Sequence, residues 1–69
     1  MTLSKNAQKV FDDKGFKRSN VPPGSSYSRS TEVANYFGMT LEELNDAFDE
    51  LISERLAKEV TTVGNIQRV

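Results

Sequence analysis

Apolar residues recur at helical spacing in three stretches of the chain and turn β-branched in a fourth. Leu3, Ala7, Val10 and Phe11 fall three and four residues apart, which predicts a short amphipathic helix over about 3–15, capped by Ser4 or Thr2. Gly15 reads as its stop, with Phe16 folding back onto the same face, and Lys14, Lys17 and Arg18 suit the negative end of the helix dipole. The run Ser19 to Ser28 holds two prolines, a glycine and four serines, so it is read as a connection, with Tyr27 pinning its end to the core and one short strand over Tyr27 to Arg29. A second helix is expected over about 31–37, capped by Ser30 or Thr31, burying Val33, Ala34, Tyr36 and Phe37 and closing at Gly38 in a left-handed conformation. Thr40-Leu-Glu-Glu43 forms a capping box, and Met39 and Leu44 occupy the two positions of a hydrophobic staple. The third helix follows over about 41–56, with Leu41, Leu44, Ala47, Phe48, Leu51, Ile52 and Leu56 on one stripe. Val60, Thr61, Thr62 and Val63, then Gly64-Asn65, then Ile66 to Val69 predict a hairpin over about 58–69 around a two-residue or slightly longer turn, with a register that strict alternation does not fix.

At 69 residues, with 36% apolar and 28% charged positions, the chain has room for one small α+β domain, placed at 1–69. It contains no Cys and no His, which removes disulfides, thiolate and imidazole metal sites, and every catalytic triad that needs an imidazole base. No Ser or Thr has a recognisable base beside it, and the carboxylates of the third helix are expected on a convex surface with no cleft. The expectation is therefore a non-enzyme with no cofactor and no metal. No apolar run approaches the roughly 20 residues needed to cross a bilayer, so a cytoplasmic protein without a membrane partner is expected.

In order, these elements are a helix, a loop with a short strand, a helix, a tight turn, a helix and a hairpin. The chain resembles the winged helix-turn-helix family, with three helices and a C-terminal β-hairpin wing. The resemblance rests on residues 30–69: Ala34 lies four positions before the turn glycine Gly38, Val33 and Phe37 lie five and one before it, and Met39, Leu44 and Ala47 lie one, six and nine after it. The pattern records how two crossing helices pack, so it bears on the fold more than on what the outer face touches. The competing architecture is a plain three-helix bundle with a frayed C-terminus.

The resemblance implies a small DNA-binding regulator, similar to repressors, activators or excisionases of phages and mobile elements, with double-stranded DNA as partner. The third helix would enter the major groove, offering Thr40, Leu41, Glu42, Asn45, Asp46 and Asp49. Thr40 and Asn45 are the candidates there for base or phosphate contact. Arg29 at the start of the second helix is the leading phosphate candidate, with Ser28 and Ser30 beside it as further contacts, and Lys17, Arg18, Lys58 and Arg68 could clamp the backbone.

Charge complicates this picture. The net charge of −1 hides six cations against two carboxylates over residues 1–30, a balance of +4, and three cations against eight carboxylates over 31–69, a balance of −5. Glu42, Asn45, Asp46 and Asp49 follow i, i+3, i+4, i+7 spacing, with Glu43, Glu50 and Glu54 beside them. Carboxylates within about one Debye length, ~8 Å, of phosphates are repelled. Acidic residues also simply solubilise a helix and suit its N-terminal dipole, which accounts for Glu42 and Glu43. It accounts less well for the like-charged i,i+4 pairs Glu42–Asp46 and Asp46–Glu50, each costing a few tenths of a kcal/mol. The second functional expectation is thus a protein-binding winged helix whose acidic third helix, through Glu42, Asp46, Asp49 and Glu50, engages a basic partner surface, for example as an inhibitor of a nucleic-acid-binding machine. Monomer and homodimer both remain open.

Overall fold

The computed structural model describes residues 2–21, 26–60 and 64–69. Where one helix was expected over 3–15, the chain forms two: α1 (Lys5–Phe11) and the single-turn α2 (Lys14–Lys17). Ser4 caps α1, its hydroxyl accepting from the Ala7 amide at 3.2 Å. The break falls at Asp12 and Asp13. Asp12 closes α1, and Asp13 caps α2 by accepting from the Phe16 amide at 3.1 Å. Gly15 therefore lies inside a helical turn and stops nothing. Its value is spatial, because a Cβ there would collide with the Tyr27 hydroxyl. The kink drops Phe16 fully into the core and carries Lys14 and Lys17 onto a four-residue helix too short for a substantial macrodipole.

Helix α3 (Thr31–Phe37) is capped by Ser30, which accepts from the Val33 amide at 3.3 Å, and ends at Gly38 with φ +71. Gly38 and Met39 amides return to the Asn35 and Ala34 carbonyls, so the helix end is satisfied internally. Ala34 and Phe37 are buried and Val33 half-buried, but Tyr36, expected inside, is 66% exposed. The next helix restarts at once. In α4 (Leu41–Ser53) the capping box is present in full, Glu43 amide to Thr40 Oγ1 at 3.1 Å and Thr40 amide to Glu43 Oε1 at 2.8 Å. The four side chains Leu44, Ala47, Phe48 and Leu51 give α4 a buried stripe that packs on α1, α3 and the hairpin. The helix ends three residues before the expected boundary at 56. Arg55 adopts φ +62, and the amides of Arg55 and Leu56 return to the Ile52 and Leu51 carbonyls. This is the same closure used at Gly38, here built on an arginine.

Strands β1 (Ala57–Val60) and β2 (Asn65–Arg68) pair antiparallel, Ala57 opposite Arg68 and Val60 opposite Asn65. Val60 pairs with Asn65, which fixes the register, so Asn65 belongs to β2, and Gly64 before it has φ +70. The expected strand residues Thr61, Thr62 and Val63 lie outside the described residues. Tyr27 forms an isolated bridge to Ile66, with reciprocal amide–carbonyl bonds of 2.7 Å. The expected strand over Tyr27 to Arg29 is thus reduced to one bridging residue, laid along the free edge of β2. Buried Ser19 ties β2 to α2, its hydroxyl donating to the Phe16 carbonyl and accepting from the Arg68 amide, both at 2.7 Å. Among the described residues the architecture is α+β, four helices and an antiparallel hairpin around one core. No helix is long and apolar enough to cross a membrane.

Candidate functional site

The buried stripe of α4 fixes which of its side chains point away from the core. Glu42, Asp46 and Asp49 occupy the opposite side of the helix and are exposed, with Asn45 half-buried at the edge. Glu43 and Glu50 belong to a different edge, the one against α1. Glu50 accepts from the Ser4 amide at 2.7 Å, supplying a partner at the start of α1, and Glu43 combines its capping bond with a long contact to the Asn6 amide nitrogen at 3.5 Å. The Thr40 amide donating to Glu43, and the Ser4 amide donating to Glu50, hold both carboxyls below the usual carboxylate range. Glu50 therefore works as an interhelical cap, and the acidic face proper is Glu42, Asp46 and Asp49.

Arg29 is drawn onto that face. Its guanidinium donates to Asp49 Oδ1 at 2.7 Å and to Asn45 Oδ1 at 3.2 Å, with a longer reach of 3.4 Å to the Asn45 carbonyl. Its Cζ lies 5.8 Å from the centroid of the buried Phe48 ring, so the planar cation covers the aromatic while pairing at its rim. Leading members of the two candidate sets, Arg29 and Asn45 on one side and Asp49 on the other, thus form a single cluster. This is the ion pair found among the described residues; Glu54 and Lys58, four positions apart in the sequence, form none, because α4 has ended and Lys58 lies in β1.

The other nominated residues are dispersed. Ser28 and Ser30 hydroxyls bond each other at 2.9 Å, and Ser30 is committed to its cap. Thr40 is committed likewise. Arg68 lies across Phe11, Cζ 5.4 Å from the ring centroid, and reaches the Lys17 carbonyl at 3.4 Å, so it folds back onto the body of the molecule. Lys17, Arg18 and Lys58 are exposed, but they sit on α2, its C-terminal end and β1.

A second cluster went unnoticed in the sequence. Asp13 accepts from the Tyr27 hydroxyl at 2.5 Å, the Tyr36 hydroxyl at 2.8 Å and the Phe16 amide. Burial works to raise the Asp13 pKa, but the two phenol hydrogen bonds and the backbone amides outweigh it and hold the carboxyl low. Burial first, and then the same carboxylate, push the Tyr27 phenol up; Tyr36 is raised chiefly by its hydrogen bond to Asp13. The signal was present in Asp13-Lys14-Gly15-Phe16, an N-cap aspartate with an apolar residue three positions on. Beside the two rings opens a cavity of about 310 Å³, bounded by the chain around Tyr27, the Glu32–Tyr36 side of α3 and Asn65.

No protein-family model, curated protein or solved structure matches the chain.

Proposed function

We propose that this is a small, non-enzymatic cytoplasmic protein of winged-helix type that binds a basic surface of another protein through the outer face of α4. The acidic face, Glu42, Asp46 and Asp49, would occupy a site that otherwise holds nucleic acid. The observation that carries this reading is the fate of Arg29: the cation best placed to meet a phosphate is taken up by Asp49 and Asn45. Among the described residues, Glu42 and Asp46 have no cation within ion-pair distance, and a face of that sign attracts cationic surfaces and repels polyanions. The experiment is an NMR titration of the chain with an arginine- and lysine-rich peptide. Shifts are expected at α4 amides around Glu42, Asp46 and Asp49, with the Glu42→Lys/Asp46→Lys variant binding about tenfold or more weakly. Equal binding by that variant would remove the proposal.

A second reading keeps double-stranded DNA as the partner, in a regulator of the kind found in phages and mobile elements. Lys17, Arg18 and Lys58 favour it, being exposed and within ion-pair distance of no carboxylate among the described residues. Its phosphate contacts would fall to the exposed Lys17, Arg18 and Lys58.

A further inference from the structure

The cavity beside α3 has a chemistry of its own. Among its lining residues the single charged side chain is Glu32, in the first turn of α3 and exposed. Two tyrosines adjoin it, Tyr27 and Tyr36, their rings 6.4 Å apart and nearly perpendicular. Both rings are fixed in place because both hydroxyls are anchored on Asp13. A phenol that donates to a carboxylate becomes richer in π-electron density, which strengthens the attraction of its ring for a cation. Asn65, also on the lining, donates its amide nitrogen to the Ser26 hydroxyl at 3.1 Å, which leaves its carbonyl as an acceptor. A carboxylate, two electron-rich rings and an amide carbonyl make a site for a hydrogen-bond-donating cation, with nothing charged to welcome an anion. At about 310 Å³ the space lies at the small end of ligand pockets, enough for one side chain and its stem.

We propose that this cavity is a binding pocket for a guanidinium group, an arginine side chain presented by a partner, paired with Glu32 and stacked against Tyr36. Arginine fits better than lysine because a planar fork can face a carboxylate and lie along an aromatic ring at once. The pocket shares no residue with the outer face of α4, so it stands or falls independently of the function proposed for that face.

The test is an NMR titration of the full chain with N-acetyl-arginine amide, against its uncharged isostere N-acetyl-citrulline amide and against N-acetyl-lysine amide. Saturable shifts are expected at the amides of Tyr27, Ser28, Glu32 and Val33, with a Kd on the order of 10 mM for so small a probe. Citrulline should give no saturation, lysine should bind roughly threefold or more weakly than arginine, and Glu32→Gln should weaken arginine by roughly threefold to tenfold. Glu42→Lys/Asp46→Lys should leave these shifts unchanged, which separates failure of the pocket from failure of the α4 interface. Equal response to citrulline, shifts confined to α4, or full binding by a folded Glu32→Gln variant would overturn the proposal.

Discussion

Asp13 joins three segments that the sequence keeps 14 and 23 residues apart, since Tyr27 and Tyr36 both end on its carboxylate. Its contribution to stability has a definite sign. A carboxyl whose pKa is lowered by folding stabilises fully above the ordinary carboxylate value of about 4 and loses that stabilisation as pH falls through the folded value. Asp13→Asn is therefore expected to cost about 1 kcal/mol at pH 7, scaled down for partial solvent exposure. The gap to the parent should narrow below pH ~4, as followed by circular dichroism melts. Glu43 and Glu50 are shifted in the same direction, so they steepen the acid limb in both proteins. The tyrosines act oppositely: their raised values confer stability that is complete below about pH 10 and fades as pH rises through the folded values. Arg29 is the other residue whose role changed on folding. A sequence shows its charge and its place before a helix, but Asp49 lies 20 residues away, and no local pattern reveals that the two neutralise each other.

Helix ends were legible where their signals are local and obscure where they depend on distant contacts. The Thr40–Glu43 box and the Gly38 turn are complete within a few residues, and both form as expected. The break between α1 and α2 has a local signal in the N-cap Asp13, but the apolar spacing runs past it; the break is fixed by Phe16 entering the core and by the Tyr27 hydroxyl on Asp13. The outer edge of the hairpin is covered through a still more distant contact, the Tyr27–Ile66 bridge. Two substitutions, read by the same thermal melts, test the unusual ends. Arg55→Gly should stabilise by about 1 kcal/mol, raising Tm by roughly 4–8 °C, because glycine adopts φ +62 without the Cβ clash. Gly15→Ala should destabilise by about 1–3 kcal/mol although alanine is the better helix former, since its methyl must displace the Tyr27 hydroxyl from Asp13.

Across the whole molecule the halves of opposite charge do not face each other through many ion pairs. Among the described residues one bridge joins them, Arg29 to Asp49; the remaining cations lie on α1, on and just after α2, at Arg55 and on the hairpin, while Glu42 and Asp46 stay on the outside of α4. The acidic stripe was visible from i, i+3, i+4 spacing alone, because α4 is a regular helix with an unambiguous buried side. The sequence pattern did not separate Glu50, which turns toward Ser4, from the residues that face outward. The Glu32–Tyr27–Tyr36 pocket was invisible at that level, being assembled from a loop residue, α3 and β2. The decisive quantity is the affinity for random-sequence duplex DNA, followed by fluorescence anisotropy at low salt. Ordinary non-specific binding has Kd values of roughly 10⁻⁴ to 10⁻⁶ M. An acidic docking face predicts no signal from the native chain in that range and salt-sensitive binding once Glu42→Lys and Asp46→Lys are combined, with Asp49 left to hold Arg29. Tight binding by the native chain, falling steeply with salt and weakened by Arg29→Ala, would contradict it.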